Sequence, residues 1–192
     1  MITNLAANQQ AFTSNVFLVA GERTVVIDAG WKFDVVNVIR EHVDAIDALL
    51  LTHTHPDHIG NVEAITAAFG VDVYGFDPSH ELVDRPIADQ EMVTLGDRDY
   101  EALFTPGHAV DHLCFYNEDE GILFAGDLIF ANGAVGRTDF EGADPQTLAE
   151  SVDRIVELVG PSIQEIHTGH GPSMTSDAGR HLQMAQQAAR MM

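Results

Sequence analysis

Short apolar segments bounded by turn residues recur along the chain, and their length and composition predict β-strands. The segments SNVFLVAG and RTVVIDAG are typical of two strands joined by a turn at Gly21 and Glu22. DALLLT is short and aliphatic, as expected for a buried strand. The same pattern predicts strands at VDVYGF, EALFTPG, HLCFYNE, GILFAGD and IQEIHTG.

Segments with helical spacing of apolar residues lie between these strands. KFDVVNVIREHV is one, and HIGNVEAITAAFG is a second that ends at Gly70, a typical C-cap. A third runs from Asp144 to Val159, with Pro145 suited to its first turn, and TSDAGRHLQMAQQAARM is the last. Strands and helices interleave, and no repeat or linker divides the chain. We therefore expect an α/β fold with helices layered over sheet, in a single domain over residues 1–192.

The charge balance argues against two classes of partner. The chain has 30 acidic and 9 basic residues, a formal net charge of −21, and Lys32 as its only lysine. Nucleic acid and anionic membrane surfaces would repel such a chain. The excess of carboxylates and scarcity of lysine favour adaptation to molar salt, where the Debye length falls to about 3 Å and self-repulsion is screened. A generic acidic protein is the alternative.

Three features of the sequence predict a cytoplasmic location. No apolar stretch is long enough to cross a membrane. The N-terminal segment MITNLAANQQAF lacks the basic and apolar regions of a signal peptide. Cys114 is the only cysteine, which excludes a disulfide framework and favours a reducing compartment.

The densest polar cluster, HTHPDH, directly follows the predicted strand DALLLT. His53 and His55 are two residues apart, so on an extended backbone their side chains point the same way. Asp57 and His58 lie at the turn into the next predicted helix. Imidazole and carboxylate groups are ligands suited to zinc, iron or manganese. The cluster therefore predicts a metal site at the end of a strand.

Three later segments repeat this arrangement of an apolar run followed by glycine and a polar side chain. They deliver His108 in EALFTPGHAVDH, Asp127 in GILFAGD and His170 in EIHTGHGP. Glycine permits close approach of the backbone, and functional sites of layered α/β proteins are built at strand ends. We expect these three residues to join the first cluster.

These motifs resemble, in order, those of the metallo-β-lactamase superfamily. The resemblance extends from Asp28 to Pro172 and rests on VIDAG, THTHPDH, TPGHAVDH, FAGD and TGHGP. It implies a four-layer αββα fold with the metals at one edge, between two facing sheets. It also implies that Asp28 supports the site from behind the ligands. The implied ligands are His53, His55 and His108 for the first metal, Asp57, His58 and His170 for the second, and Asp127 as the bridge.

Within this superfamily, FAGDLIFANGAVGRTDF is similar to segments of compact glyoxalase II-like hydrolases. The resemblance implies two Zn²⁺, with Fe²⁺ or mixed Zn/Fe as the alternative, and hydrolysis of a small thioester. A metal-bound hydroxide held by Asp127 would attack the carbonyl, with Asp57 orienting it. A thiolate departs without protonation, which favours a thioester over other substrates. The helical domain that grips glutathione in full-length glyoxalase II has no counterpart in the 22 residues after His170, which leaves the thiol carrier open.

Three other functions are open at this point. A mononuclear iron persulfide dioxygenase carries a similar Gly-Arg-Thr-Asp segment but uses fewer of the ligands. A lactone or other ester hydrolase would use the same chemistry. A non-catalytic metal-binding domain is the third alternative, although no flavin-binding domain or glutamate-rich iron set accompanies the motifs. The sequence does not predict the oligomeric state, and we expect loops such as DPSHELVDRPIADQEM to shape the pocket.

Other residues have weaker support. Arg137 is predicted either to clamp a substrate carboxylate or to pair with Asp139, and His112 to pack behind the ligands. Cys114 is predicted to be a core residue, not a nucleophile. The remaining candidates have no motif: Trp31 and Phe33 could line the pocket or the core, and His42, His80, His167 and His181 are expected to be structural or exposed.

Overall fold

Two mixed β-sheets form the centre of the protein in the computed structural model, which describes residues 1–192. The first sheet has six strands in chain order: β1 (Ile2–Asn4), β2 (Phe17–Val19), β3 (Val25–Ile27), β4 (Ala48–Leu50), β5 (Val73–Gly75) and β6 (Arg85–Pro86). The second has five strands in the order β11-β10-β9-β8-β7: β7 (Met92–Leu95), β8 (Arg98–Phe104), β9 (Leu113–Asn117), β10 (Ile122–Gly126) and β11 (Glu165–Thr168).

Helices cover the outer faces of both sheets. The α-helices are α1 (Val35–Arg40), α2 (Pro56–Ile59), α3 (Val62–Phe69), α4 (Pro145–Val159) and α5 (Ala178–Ala189), with a short 3-10 helix at Ala131–Gly133. None of the helices is long and apolar enough to cross a lipid bilayer.

Three apolar clusters separate four layers. The central cluster joins the inner faces of the two sheets, for example Ile27 and Leu50 from the first and Phe115 and Phe124 from the second. A second cluster packs α1 and α3 on the first sheet, and a third packs α4 and α5 on the second. The αββα order implied by the resemblance is therefore confirmed.

Five strands end at the same edge of this sandwich. β3 and β4 are parallel neighbours, as are β10 and β11. β8 runs in the direction of β10, because each is antiparallel to β9. The carboxyl ends of all five strands therefore meet at one edge, and the loops that follow them carry the predicted ligands.

One segment that the sequence predicts as a continuous helix is interrupted in the structure, so that prediction is wrong. HIGNVEAITAAFG does not form a single helix, because the chain breaks at Gly60 and Asn61 between α2 and α3. Asn61 leaves helical geometry, and its side-chain amide donates to the carbonyl of Ala29 at 3.1 Å. Gly60 lies so close to the Trp31 ring that a Cβ atom would meet it at 2.3 Å. These tertiary contacts interrupt the helix.

The sequence pattern does not predict the strands β1, β6 and β7. Each of these strands is short and lies at or near a sheet edge.

Candidate metal centre

The chain leaves the buried strand β4 through Leu51 and Thr52 and presents the first donor group at the edge of the sandwich. His53 is 1% exposed. Its Nε2 lies 3.0 Å from Nδ1 of His55, and the same Nδ1 lies 3.0 Å from Nε2 of His108. Three imidazole nitrogens from two separate loops therefore converge on one point.

The second donor group lies beside the first. Pro56 occupies the first turn of α2, so Asp57 and His58 project from the start of a short helix. His170, which follows β11, places its Nε2 3.0 Å from Oδ2 of Asp57. Ligand atoms of Asp57, His58 and His170 all lie within 4.8 Å of one another.

Asp127 lies between the two groups, directly after β10. One carboxylate oxygen, Oδ1, is 3.4 Å from Nε2 of His58. The other, Oδ2, is 3.4 Å from Nε2 of His108 and 3.5 Å from Nε2 of His170. The structure thus brings the seven predicted ligands together, with the Asp127 carboxylate between the two groups.

The arrangement of donors fits divalent cations. Nε2 of His58 and Oδ1 of Asp127 are buried and have no hydrogen-bond partner, which is costly unless another group satisfies them. In the first group, ring nitrogens face one another across the two 3.0 Å contacts. Each of these contacts can hold at most one proton, so the nitrogens are drawn together by more than the hydrogen bonds they can form with one another. Imidazole and carboxylate donors in such closed clusters suit zinc, iron or manganese.

Asp28 holds His58 from the side opposite the cluster. Its Oδ2 accepts from Nδ1 of His58 at 2.8 Å, and its Oδ1 accepts from the backbone N–H of Thr52 at 2.8 Å. Asp28 makes these contacts at φ of 59°, a left-handed conformation that Asp tolerates better than most residues. The contact fixes the His58 ring so that Nε2 points at Asp127.

His112 holds the turn that carries Asp127. Its Nε2 accepts from the backbone N–H of Asp127 at 3.0 Å, so Nδ1 carries the proton and faces Oγ1 of Thr105 at 2.8 Å. Burial, together with the neighbouring His108, lowers the pKa of His112 to about 3, consistent with a neutral ring. The prediction that His112 packs behind the ligands agrees with this geometry.

The two donor groups differ in their affinity for protons. Burial lowers the pKa of His53 well below its ordinary value, and burial likewise lowers that of His108. Burial also acts on His58, but the carboxylates of Asp28 and Asp127 outweigh it and raise the pKa of His58 well above its ordinary value. At His170 burial is outweighed by Asp57 and Asp127, so its pKa is raised as well.

The structure places each of the other sequence candidates in a defined contact or position. Arg137 forms a two-point salt bridge with Asp139, with contacts of 2.9 and 2.7 Å. Cys114 lies in the core, and burial raises its pKa to about 12. Phe33 packs against the α1 layer and Trp31 against Gly60, so neither lines the site. The last four histidines are structural or exposed: His42 at the surface, His80 and His181 accepting from backbone N–H groups, and His167 buried beside Phe124.

Sequence reasoning missed the side chains that surround the cluster. A cleft of about 950 Å³ opens above it, and its lining includes Phe12, Phe130, Phe140 and Glu141. The loop DPSHELVDRPIADQEM contributes nothing to this lining, so the expectation that it shapes the pocket is wrong. Phe12 lies 158 residues before His170 in sequence, and isolated phenylalanines carry no signal of such proximity.

Known proteins match both the sequence and this architecture. A hydroxyacylglutathione hydrolase from Bdellovibrio bacteriovorus is 38% identical over 144 residues, which are 72% of this chain and 55% of that protein. The chain spans about half the length of the hydroxyacylglutathione hydrolases it matches. The Bacillus subtilis protein named Probable metallo-hydrolase YqgX is 28% identical over 179 residues, which are 81% of this chain and 83% of that protein.

A solved structure and a family model extend these matches. The crystal structure of TTHA1623 in a di-iron-bound form has a TM-score of 0.75 at 28% identity, covering 98% of this chain and 96% of that one. The family model of the metallo-beta-lactamase superfamily matches residues 10–170, a span that contains both donor groups and Asp127. On this match and the shared fold, the chain belongs to the metallo-β-lactamase superfamily.

Proposed function

We propose that the protein is a dinuclear metal-dependent hydrolase that cleaves thioesters. The observation that supports this most strongly is the position of the Asp127 carboxylate, between two donor groups that are each complete. In this proposal His53, His55 and His108 would hold one metal, Asp57, His58 and His170 would hold the other, and Asp127 would be a ligand of both. The relatives named hydroxyacylglutathione hydrolase support a thioester as the substrate.

When bound, the metals would supply two effects: they would lower the pKa of a bound water to about 7, and they would polarise the substrate carbonyl. The side chains of the protein do the remaining work. Burial would raise the pKa of Asp57, but the contacts with His170 and His58 together outweigh it and lower this pKa, so the carboxylate is ionised at neutral pH and would accept a hydrogen bond from the attacking water. Asp28 and His112 hold His58 and Asp127 in place. A thiolate departs as an anion, so the site needs no acid for it.

Zinc is the metal we propose, with iron as the alternative. Nitrogen and carboxylate donors accept both, and the related protein TTHA1623 was crystallised in a di-iron-bound form. Hydrolysis requires a Lewis acid and not a redox change, which favours zinc.

Metal content and activity measured together test this proposal. We expect about two metal ions per chain. We also expect turnover of thioesters, with a lactone and a persulfide as control substrates. His58→Ala or His170→Ala should release metal and lower turnover by more than about 100-fold, since losing even an outer partner of a ligand costs roughly 10- to 100-fold. His42→Ala, an exposed histidine away from the cluster, is the matched control.

Two results would contradict the proposal. One is wild-type turnover at full metal loading in either ligand variant, which would refute the dinuclear assignment. The other is a single iron per chain with oxygen consumption on a persulfide, which would assign the protein to the dioxygenase alternative.

A further inference from the structure

Three phenylalanines surround the cleft above the metal centre. The volume of about 950 Å³ is at the upper end of the range for small-molecule sites, roughly 300–1,000 Å³. Phe12, Phe130 and Phe140 lie in the lining together with the ligands that face the cleft. These three rings therefore supply the apolar side chains of a lining that is otherwise mostly polar.

Phe12 and Phe130 lie on the side of the second donor group. The Phe12 ring stacks on the His170 ring, with centroids 5.7 Å apart and planes 22° from parallel. The Phe130 ring lies 6.3 Å from the same His170 ring. Phe12 is 74% exposed, so most of its apolar ring faces the open cleft and solvent. An apolar ligand in the cleft would cover it.

Phe140 lies on the side of the first donor group. Its ring meets the rings of His55 and His108 edge to face, at centroid distances of 5.1 and 5.2 Å. It is 36% exposed. Aromatic surface thus lies on both sides of Asp127, where the reacting carbonyl would be held.

The charges around the cleft do not favour an anionic carrier. Arg137 is the only arginine or lysine in the lining, and Asp139 already occupies its guanidinium through two contacts. Glu141 adds a carboxylate to the lining, and the chain as a whole carries a formal charge of −21. A carrier with several carboxylates or phosphates would therefore meet, apart from the metal centre itself, no cationic side chain in the lining other than the paired Arg137.

We infer that the substrate is a thioester with an apolar acyl group, of medium chain length or aromatic, on a carrier of low charge. This inference rests on the proposed hydrolase function and narrows its substrate class. Phe12 and Phe130 on one side and Phe140 on the other hold the acyl group, which places its carbonyl beside Asp127.

A matched series of thioesters tests the inference. Acetyl, butanoyl, hexanoyl and octanoyl thioesters of neutral N-acetylcysteamine are assayed on the metal-loaded protein, at one salt concentration that keeps the fold. Full burial of a methylene contributes about fourfold, and half of that free energy in this open cleft contributes about twofold, so the four methylenes from butanoyl to octanoyl should raise kcat/KM by about 16-fold. The octanoyl thioester of polyanionic coenzyme A should be a poorer substrate than its N-acetylcysteamine counterpart.

Variants at the aromatic positions give a second readout. Phe12→Ala and Phe140→Ala should each lower the octanoyl-to-acetyl ratio of kcat/KM by about 5- to 10-fold, and Phe12→Leu should retain much of it. Leu158→Ala, which truncates a 49% exposed apolar side chain on α4 outside the cleft, is the matched control and should keep the ratio.

Different results would contradict the acyl-group inference and the proposed hydrolase function. A flat dependence on acyl length, or an unchanged ratio in both alanine variants, would overturn the acyl-group inference while metal-dependent thioester hydrolysis stands. Absence of hydrolysis of every thioester at full metal loading would refute the hydrolase function itself.

Discussion

Neighbouring carboxylates set the proton affinity of individual histidines in the metal centre. His58 faces Asp28 on one side and Asp127 on the other, and His170 faces Asp57. These contacts raise the pKa values of both rings against the effect of burial, whereas burial lowers the pKa of His53. A protonated imidazole cannot bind a metal, so protons compete more strongly for the second donor group.

In the proposed dinuclear centre, acid should therefore release the two metals in sequence. As the pH falls, His58 and His170 gain protons first because their pKa values are raised, and the second donor group loses its metal. His53 and its neighbours stay neutral to lower pH, so the first metal leaves later. A chromophoric metal indicator followed from pH 8 to pH 4 measures the two steps. In His170→Ala the early step should disappear while the later step persists; release of both metals in one step from the wild type would contradict the assignment.

Strand ends bring the ligands together because glycines let neighbouring loops touch. A Cβ atom on Gly169, after β11, would meet Oδ1 of Asp127 at 2.0 Å and Cε1 of His58 at 2.8 Å. A Cβ atom on Gly136 would meet the carbonyl oxygen of Asp127 at 2.2 Å. The loop after β11 therefore approaches Asp127 as closely as it does only because residue 169 has no side chain, and Gly136 lets the chain after β10 fold back onto Asp127.

Gly169→Ala should displace Asp127 and His58 and weaken both metal sites, because the new methyl group occupies the position of the carboxylate. We expect at least about a tenfold loss of metal affinity, comparable to losing an outer partner of a ligand. Isothermal titration with zinc into metal-free protein measures it, with circular dichroism to show that the fold is kept.

Gly179→Ala is the matched control for this substitution. The nearest atom to its added Cβ is 3.8 Å away, and the residue lies within α5, where alanine is favoured over glycine by about 0.5–1 kcal/mol. Zinc affinity should be unchanged in this variant. Equal zinc affinity in Gly169→Ala and the control would show that close approach of these loops is not required.

Across the whole molecule, negative charge is left largely unbalanced. Five arginines form ion pairs with carboxylates, whereas the chain has 30 acidic residues and a formal net charge of −21. Most carboxylates repel one another across the surface of the compact fold. This repulsion opposes folding and weakens as salt shortens the Debye length.

The fold should accordingly be more stable in concentrated salt. Raising KCl from about 0.1 M to about 2 M should raise Tm by roughly 5–10 °C, which corresponds to about 2–3 kcal/mol for a domain of this size. Thermal melts followed by circular dichroism measure it, with sucrose as a control for effects other than charge screening. An unchanged spectrum and Tm at low salt would contradict adaptation to molar salt.

The sequence by itself determined the type of chemistry and the elements that carry it. Ligand-type side chains such as His53 and Asp127 follow buried strands, and that pattern is local, so it was readable along the chain. The strands that build the site and the helices α1, α4 and α5 were predicted for the same reason. Short strands such as β6, with two residues, carry too little pattern to be recognised without their partners.

Only the tertiary structure decided which atoms face one another. The contact of Asp28 with His58 depends on a left-handed backbone at a strand end, and the break at Gly60 depends on the Trp31 ring. The aromatic cleft joins Phe12 to residues more than a hundred positions away. Such contacts are set by how loops from distant parts of the chain pack, and no local spacing records them.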